Sequence, residues 1–289
     1  MLLKAFAKIN WSLDITGIRP DGYHLLDMVM QPVSLADDLI LSPAGDLSIE
    51  TDGYPPSAAD ASNLAYRAAD LLRRKSGFKS GVRIYLHKRI PIGAGLGGGS
   101  ADAAAVLFGL NRLWNLNLSD DDLASIGLSL GADVPFCLRG GLKRTRGIGE
   151  ILEEIPCRMN YRMILIQPCK GLSTREIFTS WNAANCMHHP DTEHVMKALS
   201  AADPELLSAS VYNVLEEVSV KHCPEISEAI KMLFENGAFT SQMTGSGSAV
   251  FGAFRSAALA EKAFKTLSTR YRNIHLCHTQ NDSIRIMEE

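Results

Sequence analysis

The sequence predicts an α+β protein of two domains, and three observations carry that reading. Val82, Ile84 and Leu86 alternate with Arg83 and Tyr85 at the period of a half-buried strand; a glycine-rich loop follows and opens into the helical spacing of Ala104, Leu107, Phe108, Leu110, Leu113 and Trp114. Beyond residue 160 the pattern becomes β-α-β-β-α-β, the split order of a ferredoxin-like fold in which helices cover one face of an antiparallel sheet. The 289 residues exceed what one core usually organises. EEIPCRMN (153–160) breaks the periodicity, so residues 1–155 are assigned to the first domain and 156–289 to the second.

The elements follow in order. Ala7 and Ile9 flank Lys8 in an alternating apolar segment that reads as a strand. Leu64, Ala68, Leu71 and Leu72 share a helical face, and the alanine-rich run from Ser100 has strong helix propensity. Ser119 with Asp122 three residues on resembles a capping box, for a helix expected to end at Gly131. Residues 163–166 read as a strand, and Ile226, Ala229, Ile230, Leu233 and Phe234 as one face of a helix stopped by Gly237. Strand 249–254, helix 258–267 and strand 273–278 complete the second domain, with 182–195 a loop.

Composition narrows the function. With 46% apolar and 21% charged residues the chain is globular rather than disordered. A formal charge of −3 leaves no global cationic field for nucleic acid, so an anionic ligand must be held locally. The amino terminus lacks the pattern of a secretory signal, and no apolar stretch reaches membrane-span length; a cytoplasmic protein is expected. Its six cysteines form no CxxC pair and read as reduced, mostly buried thiols. Cys186, His188, His189 and His194 lack any recognised ligand spacing, so no structural metal is assigned to them.

The most informative stretch is PIGAGLGGGSA (91–101), with glycine at 93, 95, 97, 98 and 99. Glycines let successive N–H groups converge, and the first turn of the following helix adds unpaired donors and partial positive charge, which suits phosphate oxygens. Gly93, Gly95 and Gly98 satisfy GxGxxG, with Asp120 downstream, but Asp120 belongs to a capped helix start rather than to a strand end, which argues against a dinucleotide oxidoreductase. The Walker spacing also fits, yet Gly99-Ser100 stands where Lys-Ser or Lys-Thr belongs. Compensating cations must therefore come from Lys8, Lys88 or Arg89, and Ser100 is placed to cap the helix or to reach a phosphate-bound Mg²⁺.

Together with AKIN (7–10) and MTGSGSAVFG (243–252), in that order, this loop resembles the phosphate-binding signature of the galactokinase, homoserine kinase, mevalonate kinase and phosphomevalonate kinase superfamily, the GHMP kinases. GIRPDGYH (17–24), LGADVPF (130–136) and RGIGE (146–150) extend the resemblance over nearly the whole chain, toward the branch whose acceptor is a cytidine diphosphate-linked methylerythritol. It implies an N-terminal ribosomal S5-like domain with a left-handed βαβ unit, a C-terminal ferredoxin-like substrate domain, and ATP with Mg²⁺ as cofactors. The implied partner is that small-molecule substrate, with no nucleic acid or membrane, for a monomer or homodimer. It further implies Asp133 as catalytic base with Lys8 as its cationic partner. Asn63, Lys88 and Pro91, Ile92, Gly93, Ala94, Gly95, Leu96, Gly97, Gly98, Gly99, Ser100 and Ala101 would contact ATP. Asn10, Tyr23, His24, Phe178, Gly245, Ser246 and Gly247 would contact the acceptor.

The chemistry is consistent with those roles. An alcohol is a poor nucleophile at neutral pH, so a positioned carboxylate that accepts its proton assists transfer, while a lysine offsets phosphate charge. Asp133 lies between a helix stop and Val134-Pro135, where a side chain is otherwise expected to bond its own backbone. Tyr23 offers a flat surface to a base and His24 a donor and an acceptor to a pyrimidine edge. A nucleotide-binding module without catalysis shares the loop, but has no need of Lys8 and Asp133.

Overall fold

Apolar residues at alternate positions carry the chain through two long strands before any helix forms. The computed structural model describes residues 1–53, 58–157, 159–183, 186 and 188–288. Strands β1 (Leu2–Ile18), β2 (His24–Ala44) and β3 (Ser48–Gly53) lead to helix α1 (Leu64–Ser76), then β4 (Gly81–Lys88) and α2 (Gly98–Leu113). Helices α3 (Asp120–Leu128) and α4 (Val134–Arg139) precede β5 (Lys143–Gly147) and β6 (Ile151–Glu154). Next come β7 (Arg162–Ile166), α5 (Thr174–Ser180), α6 (Thr192–Ala201), α7 (Pro204–Ser210), α8 (Glu216–His222) and α9 (Glu225–Glu235). The chain closes with β8 (Thr240–Met243), β9 (Val250–Phe254), α10 (Ala257–Leu267), β10 (Ile274–His278) and β11 (Ile284–Glu288).

Two sheets result. The first runs β11-β1-β2-β4-β3, with β5 on β2 and β6 on β5; β3 and β4 are parallel and joined through α1, a βαβ unit. The second runs β10-β7-β9-β8, antiparallel throughout, the strand order of a ferredoxin-like fold. Its second strand, β8, has only four residues and escaped the sequence pattern. Strand β11 returns to pair with β1, so the first sheet draws on residues from both sides of 155/156.

Helix α2 is apolar on nearly all sides, as a helix buried between a sheet and other helices must be. A Cβ at Gly109 would stand 2.5 Å from Leu41 and 2.7 Å from Leu3, so this glycine sets the close approach of α2 to the sheet. Strand β1 carries pairing irregularities between Phe6 and Lys8 and between Asn10 and Ser12. A bulge reverses which alternate residues face which side. Leu3, Ala5, Leu13 and Ile15 join the core containing α2, whereas Ala7, Ile9 and Trp11 join the one containing Met163, Leu165 and Phe251 of the second sheet. The same reversal turns Lys8 and Asn10 away from the second sheet.

Several expectations need correction. Helix α3 ends at Leu128 rather than Gly131, because Ser129 Oγ and the amides of Ser129, Leu130 and Gly131 close its last carbonyls first. The expected loop 182–195 already contains the start of α6, capped by Asp191, while residues 184, 185 and 187 of it, and Arg158 of the 153–160 break, lie outside the described residues. Cys169 and Cys223 are joined in a disulfide, not free thiols; their separation of 54 residues gave no sequence signal. Cys137 and Cys277 are buried and free, as expected. Among the described residues no helix is long and apolar enough to cross a membrane.

Trp11 is the central plug between the sheets. It is fully buried, packs edge-on against Tyr161 and Phe251 at 5.6 and 5.3 Å, and donates its indole N–H to Gln31 at 2.9 Å. Trp11→Ala is expected to cost about 3–5 kcal/mol, read as a lowered urea midpoint in equilibrium unfolding, because it leaves a cavity and strands the Gln31 amide.

Candidate active site

A cleft of about 650 Å³ opens between α2, the loop before it, and the turn 243–248. In that loop Gly93, Gly95 and Gly97 have φ of 65°, 75° and 70°, so every second residue is left-handed. Such alternation points consecutive amides to one side. Gly97 is the N-cap of α2 and supplies no side-chain cap, in contrast to the Asn63, Ser119 and Ser256 caps of α1, α3 and α10. The first intrahelical bond is Ala101 N to Gly97 O, which leaves the amides of Gly98, Gly99 and Ser100 at the mouth of a 16-residue helix. The result is a set of amides with the geometry of an anion cradle, which no side-chain cap occupies among the described residues.

Lys8 stands beneath this cradle. Its amide donates to Leu96 O at 3.0 Å, and its side chain runs under Gly97, where a Cβ would meet it at 3.0 Å. Its ammonium, 4% exposed, donates to Asn10 Oδ1 at 2.7 Å and lies 3.4 Å from Asp133 Oδ2. Asp133 is the N-cap residue of α4, yet its carboxylate makes no cap bond and keeps 29% exposure toward the cleft. Among the described residues no bond joins it to its own backbone, so the carboxylate faces the cleft with Lys8 as its partner. Asn10 aims Lys8 and is itself held by Thr244, whose Oγ1 accepts the Asn10 amide at 2.9 Å.

Lys88 and Arg89 are committed elsewhere. The Lys88 ammonium is buried against Asp37 and Asp102, the latter at 2.6 Å, and Arg89 pairs with Asp38 at 2.6 Å. Asp37 also accepts the amides of Arg89 at 2.5 Å and Ile90 at 2.9 Å, which anchors the entry to the loop. Burial pushes the Asp102 carboxyl from 3.8 up to about 8, with Asp37 adding to the rise and Lys88 opposing it. Lys88 lines the cleft wall, but as the clamp of a buried triad rather than as an uncommitted phosphate ligand.

Of the remaining expected residues, Asn10, Asn63, Pro91 to Ser100, Phe178, Gly245 and Ser246 all line the cleft. Asn63 does so while capping α1 and bonding Ala58 O. Ala101 is buried in the core, and Gly247 packs on Met243 behind the wall. His24 lies behind Phe178 at 5.3 Å, with Trp181 edge-on at 5.9 Å, and burial lowers its pKa so that a neutral ring is favoured. Tyr23, 60% exposed in the turn 19–23, and His24 are both absent from the cleft lining. His189 bonds Asp14 and His194 bonds Asp191, so each has a partner outside the Cys/His group. Met28, Asp37, Asp102, Thr174 and Thr244 carry no role in the sequence reading; Thr244 lies inside the MTGSGSAVFG run and Asp102 directly after PIGAGLGGGSA, whereas Met28, Asp37 and Thr174 belong to no glycine-rich run.

Residues 63–141 match the GHMP kinases N terminal domain and 195–273 the GHMP kinases C terminal domain. A 4-diphosphocytidyl-2-C-methyl-D-erythritol kinase of Alkaliphilus metalliredigens is 42% identical over 95% of this chain and 94% of its own. The chain belongs to the GHMP kinases, in the family of the 4-diphosphocytidyl-2-C-methyl-D-erythritol kinases. The Bacillus pumilus kinase of that name is 44% identical over 87% of each chain. The crystal structure of a 4-(cytidine 5'-diphospho)-2C-methyl-D-erythritol kinase, 33% identical, superposes with a TM-score of 0.83 over 97% of this chain and 100% of that one. For a GHMP kinase, ATP is the phosphoryl donor, and the cradle before α2 has the geometry to take its phosphates.

Two predictions follow from this geometry. A Cβ at Gly95 would lie 2.2 Å from Thr244 O, so Gly95→Val must displace either the loop or the turn; affinity for a non-hydrolysable ATP analogue is expected to fall about tenfold or more in a calorimetric titration. Asp102 binds a proton in the folded chain that it lacks when unfolded between the usual carboxylate range and about 8. Its contribution to stability is therefore greatest in acid and declines as pH rises through that window. Asp102→Asn removes the decline, so urea midpoints of variant minus wild type should increase from pH about 5 to about 8.

Proposed function

We propose that this chain transfers the γ-phosphoryl group of ATP to the 2-hydroxyl of 4-(cytidine 5'-diphospho)-2-C-methyl-D-erythritol, a step of the non-mevalonate route to isoprenoid precursors, as a cytoplasmic enzyme. One observation carries the reading: the anion cradle and the Lys8–Asp133 pair open into one cleft, so a phosphate chain on the first faces a proton acceptor in the second.

The amides of Gly98, Gly99 and Ser100 and the left-handed bends at residues 93, 95 and 97 orient the phosphate chain, with the positive end of α2 behind it. Asp133, paired loosely with Lys8 and open to the cleft, takes the proton of the attacking hydroxyl as the new P–O bond forms. Lys8, desolvated and aimed by Asn10, offsets the charge on the transferring group, which in a low-dielectric setting is worth more than in water. Mg²⁺ supplies charge neutralisation between phosphates when ATP is bound, and the Ser100 hydroxyl is the side chain in the cradle suited to reach it. Phe178 presents a ring to the cleft, a flat surface suited to cytosine, with neutral His24 packed against it and Tyr23 in the adjacent exposed turn.

Purified protein with Mg²⁺ and ATP is expected to turn over the cytidylyl acceptor and to ignore mevalonate and homoserine; the reverse selectivity would sink the reading. Asp133→Asn keeps the shape and loses the basic oxygen, so kcat should drop by about 10²–10⁴ with the KM for ATP unchanged in steady-state assays.

A further inference from the structure

The turn 243–248 supplies Gly245 and Ser246 to the cleft, but much of what holds its backbone comes from α8 and the residues just before it. Asn213 Nδ2 donates to Met243 O at 3.0 Å and to Gly245 O at 2.9 Å. Glu216 Oε2 accepts the Met243 amide at 2.9 Å, and Ser219 Oγ donates to Ser246 O at 3.2 Å. Asn213 is 1% exposed, and its Oδ1 accepts the Leu215 amide at 3.0 Å, so both hydrogens and the oxygen of its carboxamide are engaged. Its backbone forms a β-bridge with Leu13, where Leu13 N donates to Tyr212 O and Val214 N to Leu13 O, each at 3.0 Å. One residue therefore ties strand β1, which carries Lys8 and Asn10, to the turn on the opposite wall.

The far side of that turn meets the phosphate loop backbone to backbone. Thr244 O occupies the space a Gly95 side chain would need, Gly95 O lies 2.7 Å from a Cβ built on Gly245, and the Ala249 amide donates to Ala94 O at 3.0 Å. Any sag of the turn is therefore felt by the cradle.

We infer that Asn213 is a positioning residue for phosphoryl transfer: its two amide hydrogens fix the carbonyls of Met243 and Gly245, and through them the register of the third glycine-rich turn against the phosphate loop. This rests on the kinase reading above. A merely structural role would make Asn213 one more buried amide whose loss lowers stability and nothing else.

Asn213→Asp separates the two, because it keeps the size and the acceptor for Leu215 while turning both donors into an oxygen aimed at two carbonyls. Ser219→Ala is the milder companion, removing one bond to the same turn. Leu267→Ala, in the buried face of α10 away from the cleft, serves as the control for destabilisation. All three are compared with wild type by urea unfolding, by steady-state kinetics with the cytidylyl acceptor, and by calorimetric titration with a non-hydrolysable ATP analogue, at a temperature where each is folded. The expected result is a fall in kcat/KM of about 10–100-fold for Asn213→Asp and several-fold for Ser219→Ala, with weakened analogue binding in both and neither effect in Leu267→Ala. Kinetics and analogue affinity within twofold of wild type in folded Asn213→Asp would overturn the inference. So would the same losses in Leu267→Ala, or, should Asn213→Asp fail to fold, an unaltered Ser219→Ala. If wild type itself ignores the acceptor, the kinase reading fails on that arm, while the titrations still decide whether Asn213 governs the cradle.

Discussion

Backbone meets backbone where Gly95 passes under the carbonyl of Thr244, and the cleft depends on that contact. The glycine loop and the turn 243–248 come from opposite halves of the chain, and neither places a side chain between them at this point. Side chains can hop between rotamers, whereas two turns locked by carbonyls and amides have few soft coordinates left. The glycines thus serve two purposes: they open amides toward the cleft on one side, and they admit a second backbone on the other.

Charge is divided with similar economy. Three cations cluster near the loop, yet two are bound to carboxylates of strand β2, and Lys8 alone combines an amide oxygen partner with a looser approach to a carboxylate in the cleft. The Lys88 triad carries two acids against one base in a buried setting, which is why one of those acids holds its proton to unusually high pH. Its work is done on the protein's own backbone, through the two amides that Asp37 accepts.

Much of this was legible beforehand. The capping box at Ser119, the glycine loop ending in a buried alanine helix, and the strand around Lys8 all follow from local chemistry, which the chain obeys. What stayed hidden depends on register. Asp37 meets Lys88 because β2 and β4 pair Asp38 with His87, and no periodicity states which residue of one strand will lie beside which of another. The irregularities in β1 are equally silent, although they decide that Lys8 and Asn10 face the cleft. Asn213 sits in an ordinary-looking YNVLEEV segment, and its importance comes from three partners distant in sequence. The short strand β8 and the Cys169–Cys223 bond were lost for the same reason: four residues carry too little pattern, and a covalent pairing has none.

The return of β11 to β1 has a temporal side. Strand β1 is made long before β11, so until β11 emerges the outer edge of β1 has an open row of amides and carbonyls at Leu2 to Ala5. The sheet that carries Lys8 is therefore finished only after Ile284–Glu288 has left the ribosome, and an arrested or clipped product lacking that strand would offer the unpaired edge to any neighbouring chain.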